Sequence, residues 1–239
     1  MFYTDIHSHI LCGVDDGAES EAMMYEMLDM SYASGTRTLC LTPHFLPRFY
    51  GNNAAASEAV FEKLCAYASS RHPDMELLLA NELGYYTDCL PAVAHGDCRL
   101  IGGRYLLMDF LPGTPLFTIR YAMEETLSAG HSVILAHVER YDSLVGEEDL
   151  LSEWERRGAR FQVNASAFSR KTSGKEKRRI KKLMSRALIH AVASDAHNLT
   201  DRLPRLSEAE EVITSRFGED IARLLLDEFP RCIVSGKRI

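Results

Sequence analysis

The segment Tyr3-Thr4-Asp5-Ile6-His7-Ser8-His9 joins a short strand-like run to two histidines that are two residues apart. Alternate residues of a β-strand share a face, so Asp5, His7 and His9 are predicted to lie on one side of the first strand. Two imidazoles placed in this way can bind one metal ion, which on a helix would require a spacing of four residues. The segment therefore predicts a metal site at the end of a strand.

The same arrangement recurs along the chain, because six of seven strand-like runs end in histidine or a carboxylate. These endings are Asp5-Ile6-His7-Ser8-His9, Thr42-Pro43-His44, Asn81-Glu82, Met108-Asp109, Ala136-His137 and Ser194-Asp195-Ala196-His197, and the seventh is Val163-Asn164. Loops at the carboxyl ends of parallel barrel strands open on one face, so residues distant in sequence converge there. The pattern predicts a polynuclear metal centre at one mouth of a barrel.

The segments between these runs have helical periodicity, which predicts an α/β fold with seven βα units. The predicted strands cover residues 3–8, 37–42, 76–82, 105–110, 132–137, 160–165 and 190–195. The predicted helices cover 20–34, 54–71, 117–129, 147–157, 174–187, 204–216 and 218–228. No long linker divides the chain, so residues 1–239 are predicted to form a single domain, one closed or nearly closed parallel barrel.

Composition excludes several other classes of protein. A net charge of −7 over 239 residues argues against a nucleic-acid partner. No apolar run approaches the roughly 18 residues of a membrane span, and the N-terminus lacks the pattern of a signal peptide. The six cysteines form no Cys-x-x-Cys pair, which favours reduced thiols. These features predict a cytoplasmic protein without membrane insertion.

The ligand types and two arginines indicate the chemistry. Imidazoles mixed with carboxylates, without thiolates, favour manganese, iron or zinc in a hydrolytic centre, which could act on amides or phosphate esters. Arg140 follows His137 closely, and Arg202 lies in the loop after the seventh strand; guanidinium binds two phosphate oxygens at once. An amidohydrolase of similar design typically has a lysine where this chain has Asp109. The arginines therefore favour a phosphoesterase.

Two other features have simpler interpretations. Cys65 and Arg71 match the Cys-x5-Arg spacing of cysteine-dependent tyrosine phosphatases, but the residues between them include no glycine to form an anion-binding loop. Residues 60–71 are predicted to lie within a helix, so Cys65 is not expected to be a nucleophile. The basic stretch 170–186 is interpreted as a solvated helix face, with attraction of an acidic partner as the alternative.

Taken together, the motifs resemble the polymerase-and-histidinol-phosphatase (PHP) superfamily, and within it the bacterial manganese-dependent protein-tyrosine phosphatases of capsule and exopolysaccharide synthesis. The similarity extends from the first strand to the final helix and is carried by residues 5–10, 14–17, 42–44, 82–86, 136–141 and 193–199. The combination of His137-Val138-Glu139-Arg140-Tyr141 with Ser194-Asp195-Ala196-His197-Asn198-Leu199 is specific to this branch, whereas His-x-His alone is not.

The resemblance implies a distorted TIM-like (β/α)7 barrel with three divalent metal ions, Mn²⁺ in the first place and Fe or Zn as alternatives. It assigns His7, His9, Glu82 and Asp195 to the first ion, Glu82, Asp109 and His137 to the second, Asp16, His44 and His197 to the third, and Arg140 and Arg202 to the phosphate. The family usually has glutamate at the position of Asp109, and the shorter side chain would loosen the second ion, change the metal preference or admit a water ligand. Spacing does not separate Asp15 from Asp16; the family pattern favours Asp16.

The expected activity is hydrolysis of phosphotyrosine by a metal-activated hydroxide. The resemblance points to a bacterial tyrosine kinase with a tyrosine-rich tail as the substrate protein. Alternatives are a histidinol-phosphatase-like small-molecule phosphoesterase of the same superfamily, a non-catalytic metal-binding regulatory barrel and, third, an amidohydrolase.

Overall fold

The strands of this chain pair in parallel throughout the part that the computed structural model describes, residues 1–51, 53–169 and 172–239. They are β1 Tyr3–Asp5, β2 Thr36–Leu41, β3 His44–Phe45, β4 Glu76–Leu79, β5 Glu82–Gly84, β6 Tyr105–Asp109, β7 Ser132–Leu135, β8 Arg160–Asn164 and β9 Ala191–Ala193. One sheet has the order β1-β2-β4, and the other has the order β3-β5-β6-β7-β8-β9.

The two sheets are parts of one curved wall, because β2 continues into β3 and β4 continues into β5. Each pair is separated by two residues, and backbone bonds cross both breaks: Ala80 N–H donates to the Leu41 carbonyl at 2.9 Å, and Glu82 N–H donates to the Pro43 carbonyl at 3.3 Å. Proline has no N–H for the ladder, so an interruption at Pro43 is physically expected. The prediction of one unbroken strand over 76–82 is wrong, because β4 ends at Leu79 and β5 begins at Glu82. The strand β3 was not predicted.

The wall closes where the chain continues beyond β1 and β9. Ser8 and Ala196 form a parallel bridge, in which His9 N–H donates to the Ala196 carbonyl at 2.8 Å and Asp195 N–H donates to the His7 carbonyl at 2.9 Å. Counting each interrupted strand once gives seven strand positions around the barrel. The predicted distorted TIM-like α/β fold is confirmed.

Helices cover the outside of the barrel. They are α1 Glu21–Ala33, α2 Pro47–Tyr50, α3 Ala54–Arg71, α4 Leu90–His95, α5 Leu116–Ser128, α6 Glu148–Arg156, α7 Gly174–Ser185, α8 Ser207–Phe217, α9 Glu219–Arg223 and α10 Phe229–Val234, with a π-helical segment Leu224–Glu228 between α9 and α10. The short helices α2 and α4 were not predicted, and the last predicted helix extends to Val234. Arg170, the first residue of the predicted basic stretch, lies outside the described residues.

Side chains of the strands alternate between the barrel interior and the helices. Leu107 and Ile134 belong to the interior cluster, whereas their neighbours Met108 and Leu135 pack with helix residues in the outer core. Ile233 of α10 belongs to the interior cluster as well. Apolar side chains fill this part of the interior, so the polar inward-facing positions are left near the carboxyl ends of the strands, where the candidate site lies.

Two predictions about other features have clear outcomes. Cys65 lies within α3, as predicted, and burial raises the pKa of its thiol, which is the opposite of what a thiolate nucleophile needs. All six cysteines lie in the described part of the chain and are free thiols.

None of the helices that the structure describes has the length and apolar character to cross a bilayer.

Candidate metal centre

The nine side chains predicted as metal ligands all reach the mouth at the carboxyl ends of the strands. Three groups have ligand atoms within 4.8 Å of one another: His7, His9 and Asp195; His44, Glu82 and Asp109; and His9, Asp16, His44 and His197. The ninth residue, His137, adjoins the second group, since its Nε2 lies 3.1 Å from Glu82 Oε1 and 3.4 Å from Asp109 Oδ1. The structure thus brings together every predicted ligand.

Glu82 stands at the middle of this cluster and faces four imidazoles. Its Oε1 lies 3.3 Å from His7 Nε2 and 3.1 Å from His137 Nε2, and its Oε2 lies 3.3 Å from His9 Nε2 and 2.8 Å from His44 Nδ1. Burial raises the pKa of Glu82, but the charges of His7 and His44 outweigh burial and lower it well below its usual range. Each oxygen faces a different pair of histidines, which is the geometry of a bridging carboxylate.

The pKa values of His7 and Asp195 shift in opposite directions because the two side chains face each other. Burial lowers the pKa of His7, but the negative charges of Glu82 and Asp195 outweigh burial and raise this pKa to about 9. Burial raises the pKa of Asp195, but the positive charge of His7 outweighs burial, so the pKa of Asp195 is lowered. Glu82 and Asp195 therefore stay ionised within a buried site, whereas burial and the charge of Glu82 raise the pKa of Asp109. In such a site a divalent cation can replace the imidazole protons.

Hydrogen bonds fix the orientation of the imidazoles. His7 Nδ1 lies 3.1 Å from Gln162 Oε1, and His9 Nδ1 lies 2.7 Å from Asp15 Oδ2. These oxygens accept hydrogen bonds from Nδ1–H, so the Nε2 lone pair of each ring points to the centre of the cluster. That tautomer is the one that a metal ligand requires.

Tyr141 fixes a third imidazole through its hydroxyl. The hydroxyl donates to Asp109 Oδ1 at 2.9 Å, accepts from Phe110 N–H at 3.2 Å and lies 3.2 Å from His137 Nδ1. Because its single proton goes to Asp109, it must accept from His137 Nδ1–H, which leaves His137 Nε2 free to bind a cation. Asp109, the residue that departs from the family pattern, is thereby tied to His137.

The structure separates the two adjacent aspartates that spacing alone does not distinguish. The Asp15 carboxylate is fully buried, bonds to His9 and accepts the His44 backbone N–H at 3.0 Å. The Asp16 carboxylate is 53% exposed and lies 3.3 Å from His44 Nε2 and 3.5 Å from His197 Nε2. Of the two, Asp16 therefore lies within a candidate ligand group, and Asp15 contacts two candidate ligands, His9 and His44.

Both predicted phosphate-binding arginines lie at the edge of the cluster and reach the same atom. Asp195 Oδ2 is 3.1 Å from Arg140 Nη1 and 2.7 Å from Arg202 Nη2. Asp195 has a positive φ of 51°, so the chain turns sharply after β9 and points this carboxylate into the mouth. Arg140 is 44% exposed and Arg202 is 31% exposed, which leaves both able to meet a ligand.

A cavity of about 360 Å³ lies above the cluster and has two kinds of wall. Its polar and charged lining consists of Asp16, His44, Glu82, Asp109, His137, Arg140, Asp195 and Arg202. Its second kind of lining, here called the apolar collar, consists of Leu46, Phe49, Tyr50, Phe110, Leu111 and Pro112. Phe49 is 65% exposed and Leu111 is 59% exposed, although both are large and apolar. Tyr50 stacks on the His44 ring, with the planes 4° apart.

Sequence reasoning missed the side chains that hold the ligands in place. Gln162 accepts the backbone N–H of His137 at 2.8 Å in addition to bonding His7, and it donates to Asn164 Oδ1 at 2.7 Å. Asn164 in turn donates to Asp195 Oδ2 at 2.6 Å. A signal was present, because polar residues two apart on an otherwise apolar strand share its inner face.

This arrangement agrees with what the comparisons with known proteins show. The family model for capsular polysaccharide synthesis, CpsB/CapC, matches residues 3–235. The chain belongs to the CpsB/CapC family. Its curated relatives include tyrosine-protein phosphatase CpsB of Streptococcus pneumoniae, which is 30% identical over 241 residues that cover 98% of this chain and 99% of the relative.

Two further relatives extend the CpsB/CapC assignment to a second organism and to structure. Tyrosine-protein phosphatase YwqE of Bacillus subtilis (strain 168) is 28% identical over 225 residues, which cover 93% of this chain and 88% of YwqE. A solved structure from work on YwqE from Bacillus subtilis and CpsB from Streptococcus pneumoniae, described there as unique metal-dependent tyrosine phosphatases, is 28% identical with a TM-score of 0.87. That match covers 99% of this chain and 96% of the other.

Proposed function

We propose that this chain is a metal-dependent protein-tyrosine phosphatase that holds three divalent ions, Mn²⁺ in the first place. The observation that carries the proposal is the meeting of two arginines with the ligand cluster at Asp195. A site built only to store metal has no need of two guanidinium groups at its edge. A phosphate monoester, in contrast, is bound by metal cations together with guanidinium groups.

The donor set fits divalent cations. His7, His9, Glu82 and Asp195 would hold the first ion, Glu82, Asp109 and His137 the second, and Asp16, His44 and His197 the third. Glu82 Oε2 and His197 Nε2 are buried and contact other side chains of the cluster, His44 Nδ1 at 2.8 Å and Asp16 Oδ1 at 3.5 Å, without hydrogen-bond geometry. A cation between these atoms would complete their coordination. When bound, such ions lower the pKa of water and neutralise phosphate charge.

The two arginines would change partner when substrate enters. Both guanidinium groups lie against Asp195 Oδ2, and a phosphate in the cavity offers them oxygens with more negative charge. Their fixed charge would then stabilise the negative charge that spreads over the phosphoryl oxygens in the transition state. The tyrosine phenolate, with a pKa of about 10, leaves without a strong general acid, so none is required of the chain.

The apolar collar favours an aromatic phosphoester over a polar one. Phe49 and Leu111 line the cavity above the ligand cluster and are largely exposed, so the ring of a phosphotyrosine bound there would pack against them. Histidinol phosphate carries a cationic amine and a polar ring, which gain little from such a wall. We infer that the substrate is a phosphotyrosine protein, a bacterial tyrosine kinase with a tyrosine-rich tail, within capsule or exopolysaccharide synthesis.

The amidohydrolase alternative lacks support from the lining of the cavity. Among the described residues no lysine lines it, and the strand end at which the sequence comparison expects a bridging lysine carries Asp109.

The proposal is tested by assaying EDTA-treated protein before and after addition of Mn²⁺. We expect no hydrolysis of a phosphotyrosine peptide without metal, recovery with Mn²⁺, and at least tenfold lower kcat/KM for histidinol phosphate. Preference for histidinol phosphate would support the small-molecule alternative. Fully metallated protein with no activity on either ester would support the non-catalytic barrel and overturn the proposal.

A further inference from the structure

Arg179 on α7 holds the short turn that carries Arg140. Its guanidinium donates to the carbonyl oxygens of Val138 at 2.8 Å and Tyr141 at 2.6 Å, both through Nη2, and to that of Glu139 through Nη1. These three carbonyls belong to one 3-10 turn, Val138–Arg140, and the residue after it. One side chain thus satisfies three neighbouring acceptors.

The turn matters because functional side chains project from it in sequence. His137 precedes it with a φ of 33°, a left-handed conformation that a residue other than glycine adopts only when its surroundings hold it. Arg140 projects from its end toward Asp195, and the Tyr141 hydroxyl bonds Asp109. A small rotation of this turn would therefore displace the phosphate-binding guanidinium.

The turn is held from two sides. On the barrel side, Glu139 Oε1 accepts the backbone N–H of Asn164, at the end of β8, at 3.1 Å. On the outer side, Arg179 reaches the carbonyls of the same turn, and its positive charge lies near the buried Glu139 carboxylate. The turn is therefore held between β8 and α7, which fixes the position of the Arg140 backbone.

The chemistry of the clamp requires arginine. Guanidinium is planar and carries five N–H groups in a fixed fork, so it can meet several acceptors at set angles, whereas the ammonium of lysine is a single point with three rotating donors. The Val138 and Tyr141 carbonyls also accept the backbone N–H groups of Tyr141 at 3.5 Å and Leu144 at 3.0 Å, so the guanidinium adds a second donor to each. Replacement of Arg179 by lysine keeps the charge but loses the fork.

We propose that Arg179 is a positioning residue for phosphate binding, which acts through Arg140 by fixing the turn at residues 138–141. This inference rests on the proposed function, since it assigns Arg140 to the phosphate. The remaining basic residues of α7 are not needed for it. Lys175 pairs with Asp142, Lys182 pairs with Glu148, and the side chain of Arg178 is exposed.

The test is a double-mutant cycle with Arg179→Lys and Arg140→Ala, each assayed with saturating Mn²⁺ on p-nitrophenyl phosphate. We expect Arg179→Lys to lower kcat/KM roughly tenfold alone and less than twofold in the Arg140→Ala background, because its effect passes through Arg140. The matched control Arg178→Lys, one residue away on the same helix, should leave kcat/KM unchanged in both backgrounds. An equal loss in both backgrounds, or no loss in either, would overturn the inference.

Titration of inorganic phosphate into the Mn²⁺-loaded protein gives the same cycle without turnover. We expect Arg179→Lys to weaken phosphate binding in the parent and to have little effect once Arg140 is absent. If the parent binds phosphate in this coupled manner but hydrolyses no ester, the proposed function fails and the positioning role stands. Equal phosphate affinity of Arg179→Lys and the parent would overturn the positioning role. Circular dichroism of both lysine variants checks that the fold is retained.

Discussion

The Asp15 carboxylate accepts a hydrogen bond from His9 Nδ1 at 2.7 Å. This bond turns His9 Nε2 toward the ligand cluster, while the next residue, Asp16, contributes its own carboxylate to that cluster. Two adjacent aspartates therefore have different tasks: one orients a ligand and the other is in position to be one.

Substitution of each aspartate by asparagine separates these tasks. Asp16→Asn should reduce the bound manganese by one ion per chain, because a carboxylate ligand is lost. Asp15→Asn should keep the stoichiometry and weaken manganese affinity about 10- to 100-fold, as loss of an orienting carboxylate does. Elemental analysis and an activity titration with Mn²⁺ measure both quantities. The reverse result would exchange the two assignments.

Replacement of Arg140 or Arg202 should impair phosphate binding and turnover together. Arg140→Lys and Arg202→Lys keep the charge but lose bidentate geometry, so we expect kcat/KM for p-nitrophenyl phosphate to fall roughly 100-fold in each. Arg205→Lys is the matched control, because Arg205 is exposed and does not line the cavity above the ligand cluster. Steady-state kinetics at saturating Mn²⁺ decide the matter. Wild-type rates in both variants would remove the arginines from the mechanism.

Truncation of the apolar collar should affect aromatic substrates selectively. Leu111→Ala and Phe49→Ala each remove apolar area that the substrate ring would cover, and we expect KM for a phosphotyrosine peptide to rise roughly tenfold. Inhibition by inorganic phosphate, which has no ring, should not change. Phe117→Ala serves as the control, because Phe117 is 75% exposed on α5 and does not line the cavity. An equal effect of the Phe117 substitution would show that the collar has no special role.

The barrel and its ligand set could be predicted from the sequence because both follow from local patterns. Histidines and carboxylates stand directly after apolar strands, and parallel topology brings all such positions to one mouth. The start of α7 at Gly174 agrees with the predicted helix 174–187, and Ser173 accepts the Glu176 backbone N–H there.

The remaining features depend on contacts between distant segments. Gln162 lies on the inner face of β8, and only its pairing with His7, 155 residues away, shows its task. Arg179 belongs to a basic stretch that reads as a solvated face, yet its guanidinium reaches a turn 38 to 41 residues earlier. The interruption of the strand at 80–81 likewise arises from pairing with the broken strand beside it.

His190 should make the fold sensitive to acid. Its Nδ1 accepts the Phe161 backbone N–H at 3.2 Å, and burial together with the charge of Arg160 lowers its pKa from 6.5 to about 3. The unfolded chain therefore binds a proton between pH 6.5 and 3 that the folded chain does not, so stability falls as pH falls through this range, by up to about 3 kcal/mol at pH 4.

Urea unfolding in EDTA at pH 7 and pH 4 measures this contribution. His190→Gln cannot take up the proton, so the difference in unfolding free energy between the two pH values should shrink. His95→Gln, which removes an exposed histidine on α4, should leave the difference unchanged. If His190→Gln and the parent lose the same free energy on acidification, His190 is not the acid-sensitive group.

Anomalous diffraction at the manganese edge, from crystals grown with Mn²⁺ and phosphate, tests the central claim most directly. We expect three manganese peaks at the barrel mouth, one beside His7 and His9, one beside Asp109 and His137, and one beside Asp16 and His197. Phosphate should lie over them, in contact with Arg140 and Arg202. Fewer than three peaks, or phosphate bound away from both arginines, would contradict the central claim.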